Sequence, residues 1–152
     1  MKYEKHRPIY RDAYIKHAEK AHPQFDLVIC CPSSRDEARF HWEPVSQSVH
    51  RRNPKAVDLS ASFRKVDGFK VGGGATVEQA RKGIKFNCDG RLETYTSALI
   101  IDDVWSKGIT VSTVLSYLVD SGLQANTQVR VFTPLFIPPE QNKRRLLNGC
   151  EY

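Results

Sequence analysis

Residues 98–101, Ala-Leu-Ile-Ile, form an unbroken apolar run that ends abruptly in two adjacent acids, Asp102 and Asp103. A run with no polar alternation suits a strand covered on both faces, the normal condition in a parallel sheet. Nine residues on, Val111, Val114, Leu115, Leu118 and Val119 recur at helical spacing, and Gly122 closes that helix. Val129, Val131 and Phe132 then begin another strand, limited by Pro134. Strand, loop, helix and strand make a βαβ unit, for which a right-handed crossover is expected. This unit excludes an all-β or all-α fold and predicts α/β architecture around a central, mainly parallel sheet.

The rest of the chain supplies matching pieces. Leu27–Cys31 is a second apolar run, and the polar turn Pro32-Ser33-Ser34-Arg35 follows it. Helices are expected over 10–21, stopped by Pro23, and over 44–52, with Pro44 at the first position. Residues 55–74 alternate loosely and end in Gly72-Gly73-Gly74, which predicts a flexible hairpin or flap. No buried strand leads into these glycines, so a hinge is favoured over a nucleotide-binding loop. Thr76 is placed to cap a helix that offers Gln79, and Ile84–Asn87 reads as a short strand. Residues 134–152 read as a C-terminal tail, whose stretch 140–152, EQNKRRLLNGCEY, is polar and basic.

Length and composition fit one domain over 1–152, with 1–25 as an N-terminal helical segment: apolar residues make up 40% and charged residues 26% of 152. No apolar run approaches the roughly 20 residues of a membrane span. The N-terminus MKYEKHRPIYRD lacks an apolar signal core, so a cytoplasmic protein is expected. Cys30, Cys31, Cys88 and Cys150 lack the paired spacing of a zinc site. Cys30 and Cys31 are expected to act as small hydrophobes, with Cys88 in a polar turn. His6, His17, His22, His41 and His50 show no metal spacing. The net charge of +6 suits nucleic acid, a small phosphorylated ligand or a solvated basic surface, and does not choose among them.

The chemistry concentrates at the junction after Ile101. Ligands of parallel α/β sheets bind beyond the carboxyl ends of the strands. A helix starting near Thr110 presents unpaired amides and a positive dipole end to an anion. Gly108 allows close backbone approach, Ser106 and Thr110 add hydroxyls, and Lys107 adds charge. Two acids beside a phosphate site make sense if they point elsewhere, toward a pair of sugar hydroxyls or toward Mg²⁺ through water. Acids on the sugar and amides on the phosphate together suit a ribose-5-phosphate.

The segment ALIIDDVWSKGITV resembles the phosphoribosyl pyrophosphate (PRPP) signature of type I phosphoribosyltransferases: four apolar residues, two acids, two mostly apolar residues and a Ser/Thr/Gly loop. The resemblance implies that Asp102 and Asp103 contact the ribose hydroxyls and, through water, Mg²⁺ held with PRPP. It implies that Ser106, Lys107, Gly108, Ile109 and Thr110 wrap the 5′-phosphate. Ser33, Ser34 and Arg35 stand where the family binds pyrophosphate, and Arg64 and Lys65 are candidate flap cations. The layout is most similar to short ComF-like phosphoribosyltransferases, without the cysteine-rich N-terminal zinc segment of many of them. The 6-oxopurine enzymes carry an acid where this chain has Ser106, so the loop resembles orotate, uracil or ComF-like loops more. Lys107 and Trp105 also depart from the usual residues.

Trp42, Trp105, Tyr95 and Phe63 are candidates for stacking on a base, although aromatics are more often core, and Trp105 adjoins the site. No general base is identifiable. The implied activity is transfer of phosphoribosyl from PRPP to an unknown nitrogenous base, with a nucleotide ligand and a homodimer among the expected partners and no membrane. Two alternatives stay open: a non-catalytic PRPP or nucleotide sensor and, less favoured, a nucleic-acid binder.

Overall fold

A computed structural model describes residues 16, 24–32, 47, 48, 50–66, 69, 75–102, 104, 105, 107–133, 135 and 136. The apolar runs form the centre of a four-stranded sheet. β1 (Leu27–Cys30) and β5 (Ser97–Ile101) lie side by side, with β2 (Val57–Asp58) beyond β1 and β7 (Gln128–Phe132) beyond β5. Every neighbouring pair in this sheet is parallel. The α/β class and the mainly parallel sheet are therefore as the sequence predicts.

Alternation along the central strands explains why both runs are apolar throughout. Leu27, Ile29, Ala98 and Ile100 pack on one face with Val111, Val114 and Leu118 of α2 (Ile109–Asp120). Val28, Cys30, Leu99 and Ile101 face the other way, toward Phe25, Ala56 and Phe132. Leu27, Val28, Ile29, Leu99 and Ile100 have no exposed surface. Each such aliphatic side chain contributes about 1.5–3 kcal/mol by its burial. Gly122, at φ 100°, ends α2 as expected.

A second layer holds α2 in place. α1 (Val77–Gly83) is capped by Thr76 and Gln79, each side chain accepting the other's backbone N–H, as the sequence predicts. Arg81 of α1 lies 4.1 Å over the Tyr117 ring and pairs with Asp120 at 2.6 Å, which clasps the two helices together. β4 (Ile84–Phe86) follows and pairs antiparallel with β3 (Phe63–Lys65).

This pairing corrects the reading of 55–74 as one flap. Residues 57–58 close the sheet edge, and Phe63 is buried against Phe86 and Tyr117. Phe63 is thus a core residue and not a base-stacking one. Arg64 and Lys65 belong to β3 and not to a flap tip. Most of 67–74 lies outside the described residues, as do the 10–21 helix apart from Lys16 and the 134–152 tail apart from Leu135 and Phe136, which form a short strand and not a tail. The 44–52 helix is seen at 47, 48 and 50–52.

Candidate functional site

β1 leads to β2 on one side, and the chain then crosses back to lay β5 on the other. The strand order therefore reverses between β1 and β5, and connections leave their carboxyl ends in opposite directions. That divergence opens a crevice in parallel α/β sheets. Two segments singled out in the sequence meet there. Cys30 faces Ile101 across the ladder, and the Cys31 amide donates to the Ile101 carbonyl at 2.7 Å. Cys31-Pro32 and Asp102 thus leave adjacent strands side by side. Ser33, Ser34 and Arg35 continue directly from Pro32 but lie outside the described residues.

The acidic pair interrupts a ladder and does not begin a free loop. β6 (Val104–Trp105) pairs parallel with β8 (Leu135–Phe136). Ile101 faces Phe132 and Val104 faces Leu135, with two residues intervening on each strand, so the register carries across unchanged. The Asp102 amide bridges the interruption by donating to the Phe132 carbonyl at 3.0 Å. Pro134, which lacks an N–H, falls in the same gap. The expected loop over 102–110 is therefore shorter than the sequence suggests. Asp102 is 9% exposed, so its carboxylate is held in a largely desolvated position. Asp103 and Ser106 lie outside the described residues, as does the side chain of Trp105.

The helix start beyond it is open to an anion. Gly108 is the N-cap of α2 at φ 69°, ψ 13°, in the left-handed region where a side chain is costly. It makes no side-chain cap, and the first turn carries no acid. The Ser112 amide donates to the Gly108 carbonyl at 2.8 Å, which starts the helical bonding. Ile109, Thr110 and Val111 precede that bond, and no group among the described residues accepts from their amides. Thr110 stands in the first turn, Lys107 is exposed and Gly108 is buried. Asp102, Lys107, Gly108, Ile109 and Thr110 thus fall within one strand-to-helix junction, as the sequence predicts.

Two positioning features were missed. The Cys30 amide donates to the Ser60 hydroxyl at 2.8 Å, which ties the end of β1 to the turn after β2. At the opposite end of the sheet, Asp26 accepts from the Thr96 amide at 2.7 Å, the Thr96 hydroxyl at 2.8 Å and the Ser97 amide at 2.9 Å. These bonds, the Thr96 hydroxyl foremost, hold the Asp26 carboxyl below its ordinary value against the opposing effect of burial. A lone acid just before a buried strand was the signal available for it. Tyr95 is half-buried against the core, and the buried Nδ1 of His50 has no hydrogen-bond partner among the described residues. Among the described residues Cys30, Cys31 and Cys88 form no disulfide.

Among the described residues no group of three or more His, Cys, Asp or Glu side chains is placed to hold a metal. One buried carboxylate does not by itself make a closed cage for a cation. No helix of the described residues is long and apolar enough to cross a membrane.

Neither the known protein families nor the curated proteins include a match to this chain. Solved structures similar to it include a purine phosphoribosyltransferase from Pyrococcus horikoshii Ot3, 14% identical, covering 88% of this chain and 82% of that one at a TM-score of 0.48. A xanthine-guanine-hypoxanthine phosphoribosyltransferase from Helicobacter pylori is 10% identical, covering 92% of each chain, also at 0.48. The adenine phosphoribosyltransferase from Saccharomyces cerevisiae is 16% identical, covering 94% of this chain and 73% of that one, again at 0.48. These are distant likenesses, and the junction between β5 and α2 stands on the chain's own geometry.

Proposed function

We propose that this chain binds the ribose-5-phosphate part of PRPP, or of a nucleotide, between the carboxyl ends of β1 and β5 and transfers phosphoribosyl to a nitrogenous base. One observation carries this reading: a buried acid, Asp102, lies a few residues from a helix start whose 109–111 amides have no acceptor among the described residues and whose cap is a left-handed glycine. The amides at 108–111 and the α2 dipole suit a phosphate dianion. Asp102, with Asp103, suits the ribose hydroxyls. Ser33, Ser34 and Arg35, following Pro32, suit the pyrophosphate beside them.

The chemistry follows from that division. The bond from the anomeric carbon to the pyrophosphate oxygen breaks, and pyrophosphate leaves with the electron pair. The acceptor nitrogen then bonds to that carbon and loses its proton to solvent. Positive charge builds on the sugar between these events, so nearby carboxylates stabilise it while fixed amides hold the phosphate end still. Mg²⁺ belongs to the substrate here, as the counter-ion of the diphosphate. With Ser106 in the phosphate loop, the acceptor is proposed to be a base other than a 6-oxopurine.

Isothermal titration with Mg²⁺ and PRPP tests the site. Saturable binding that is lost in Asp102→Asn with Asp103→Asn supports it, and no binding by the wild type at millimolar PRPP would sink it. Pyrophosphate release across a panel of pyrimidine and purine bases tests transfer. Binding without release for any base would leave a sensor and overturn the enzyme.

A further inference from the structure

We propose that the outer face of the β3–β4 ribbon docks the phosphate backbone of a nucleic acid, independently of the ribose-phosphate site. Arg64 and Lys85 stand directly opposite each other on this antiparallel ladder. The flanking rungs, Phe63 with Phe86 and Lys65 with Ile84, alternate to the inner face, where Phe63 and Ile84 are buried. Arg64 and Lys85 are exposed. Among the described residues neither forms an ion pair, whereas Arg81 and Arg91 do, with Asp120 and Glu93. Like charges facing across a ladder repel each other, so this rung is destabilised in the free protein. A phosphodiester between the two cations converts that repulsion into two charge-assisted contacts.

The surroundings favour a polyphosphate chain as the occupant. Lys82 is exposed and only three residues from Lys85, hence within about 11 Å of it along the chain. Asn87, exposed on the next outward rung, adds an amide donor. Among the described residues Val66 is the exposed large hydrophobic side chain at this end, too little apolar surface for a membrane or a hydrophobic partner. The net charge of +6 steers a polyanion toward the whole molecule.

Fluorescence anisotropy with a labelled single-stranded oligouridylate, titrated at increasing salt, tests the proposal on the full chain. The wild type should bind at low salt, with affinity falling steeply as salt rises. Arg64→Ser with Lys85→Ser should weaken binding about tenfold and flatten the log–log salt slope by about 1.4, or ~0.7 for each lost phosphate contact. Its melting temperature should hold or rise, because a repulsive pair is gone. PRPP titration of the same variant should be unchanged. Should the double variant fail to fold, Lys85→Thr alone is expected to give half the change in slope. Absence of salt-sensitive binding by the wild type, an unchanged slope in a folded variant, or equal binding of a polyglutamate of matched charge would each overturn the assignment.

Discussion

Two helix starts among the described residues are built on opposite principles. α1 begins at Thr76 with a reciprocal cap from Gln79 and an acid, Glu78, in its first turn. α2 begins at Gly108 with a left-handed backbone, no side-chain cap and no acid. Both have the same orphan amides and the same positive dipole end. α1 covers its Gln79 and Thr76 amides with its own side chains, whereas among the described residues nothing accepts from the α2 amides of 109–111, where the proposed phosphate would bind. The difference teaches where to look for an anion: not at every helix N-terminus, but at the one whose sequence declines to fill itself.

The sharpest way to break the comparison is to give α2 the acid that α1 has. Gly108→Asp places a carboxylate at the open cap, and PRPP affinity should fall by at least about 100-fold in titration calorimetry, since a repelled dianion replaces a bound one. Retained affinity would mean that the phosphate sits elsewhere. Asp102→Asn alone keeps the shape of the junction and removes its buried charge. Loss of a charge-assisted bond worth about 1.5–3 kcal/mol predicts roughly 10- to 100-fold weaker binding by the same measurement. Thr76→Ala is the counter-test at α1. It should cost about 1 kcal/mol in urea unfolding and leave PRPP affinity unchanged. A shift in affinity there would undo the functional distinction between the two helix starts.

The smallest effect is at the far end of the sheet. The folded Asp26 carboxyl titrates below its ordinary value of 3.8. Its contribution is therefore fully present above about that value and is lost as pH falls through the lower folded value. Acid unfolding of Asp26→Asn should lack this part of the slope below pH 3.8 while matching the wild type near neutrality in its pH dependence. Identical acid profiles would show that the Thr96 and Ser97 bonds carry no proton linkage.

How much was legible beforehand differs by element. β1, β5, α2 and β7 were visible because burial on both sheet faces, or along one helix stripe, leaves a periodic mark in the sequence. The α1 cap was visible because a capping box is a contact between residues three apart. β2 and β6 are two residues long, and each is a strand through its partner: Val57 through Leu27, Val104 through Leu135. Strands that short carry no period. The choice between core and base-stacking for Phe63 was open in the sequence for a related reason, since its neighbours Phe86 and Tyr117 are remote along the chain.

By itself, then, the sequence determined the local pieces: two doubly buried strands, an amphipathic α2, a self-capped α1, and an acid pair followed by a glycine before a helix. Those depend on interactions within a few residues, which composition and spacing record. Only the tertiary structure decided that β1 lies between β2 and β5, so that Pro32 and Asp102 leave the sheet at the same crevice. It also decided that Asp102 bridges a ladder continued by β6 and β8. Strand order and register depend on pairings tens of residues apart, and those are settled by which faces can be buried together.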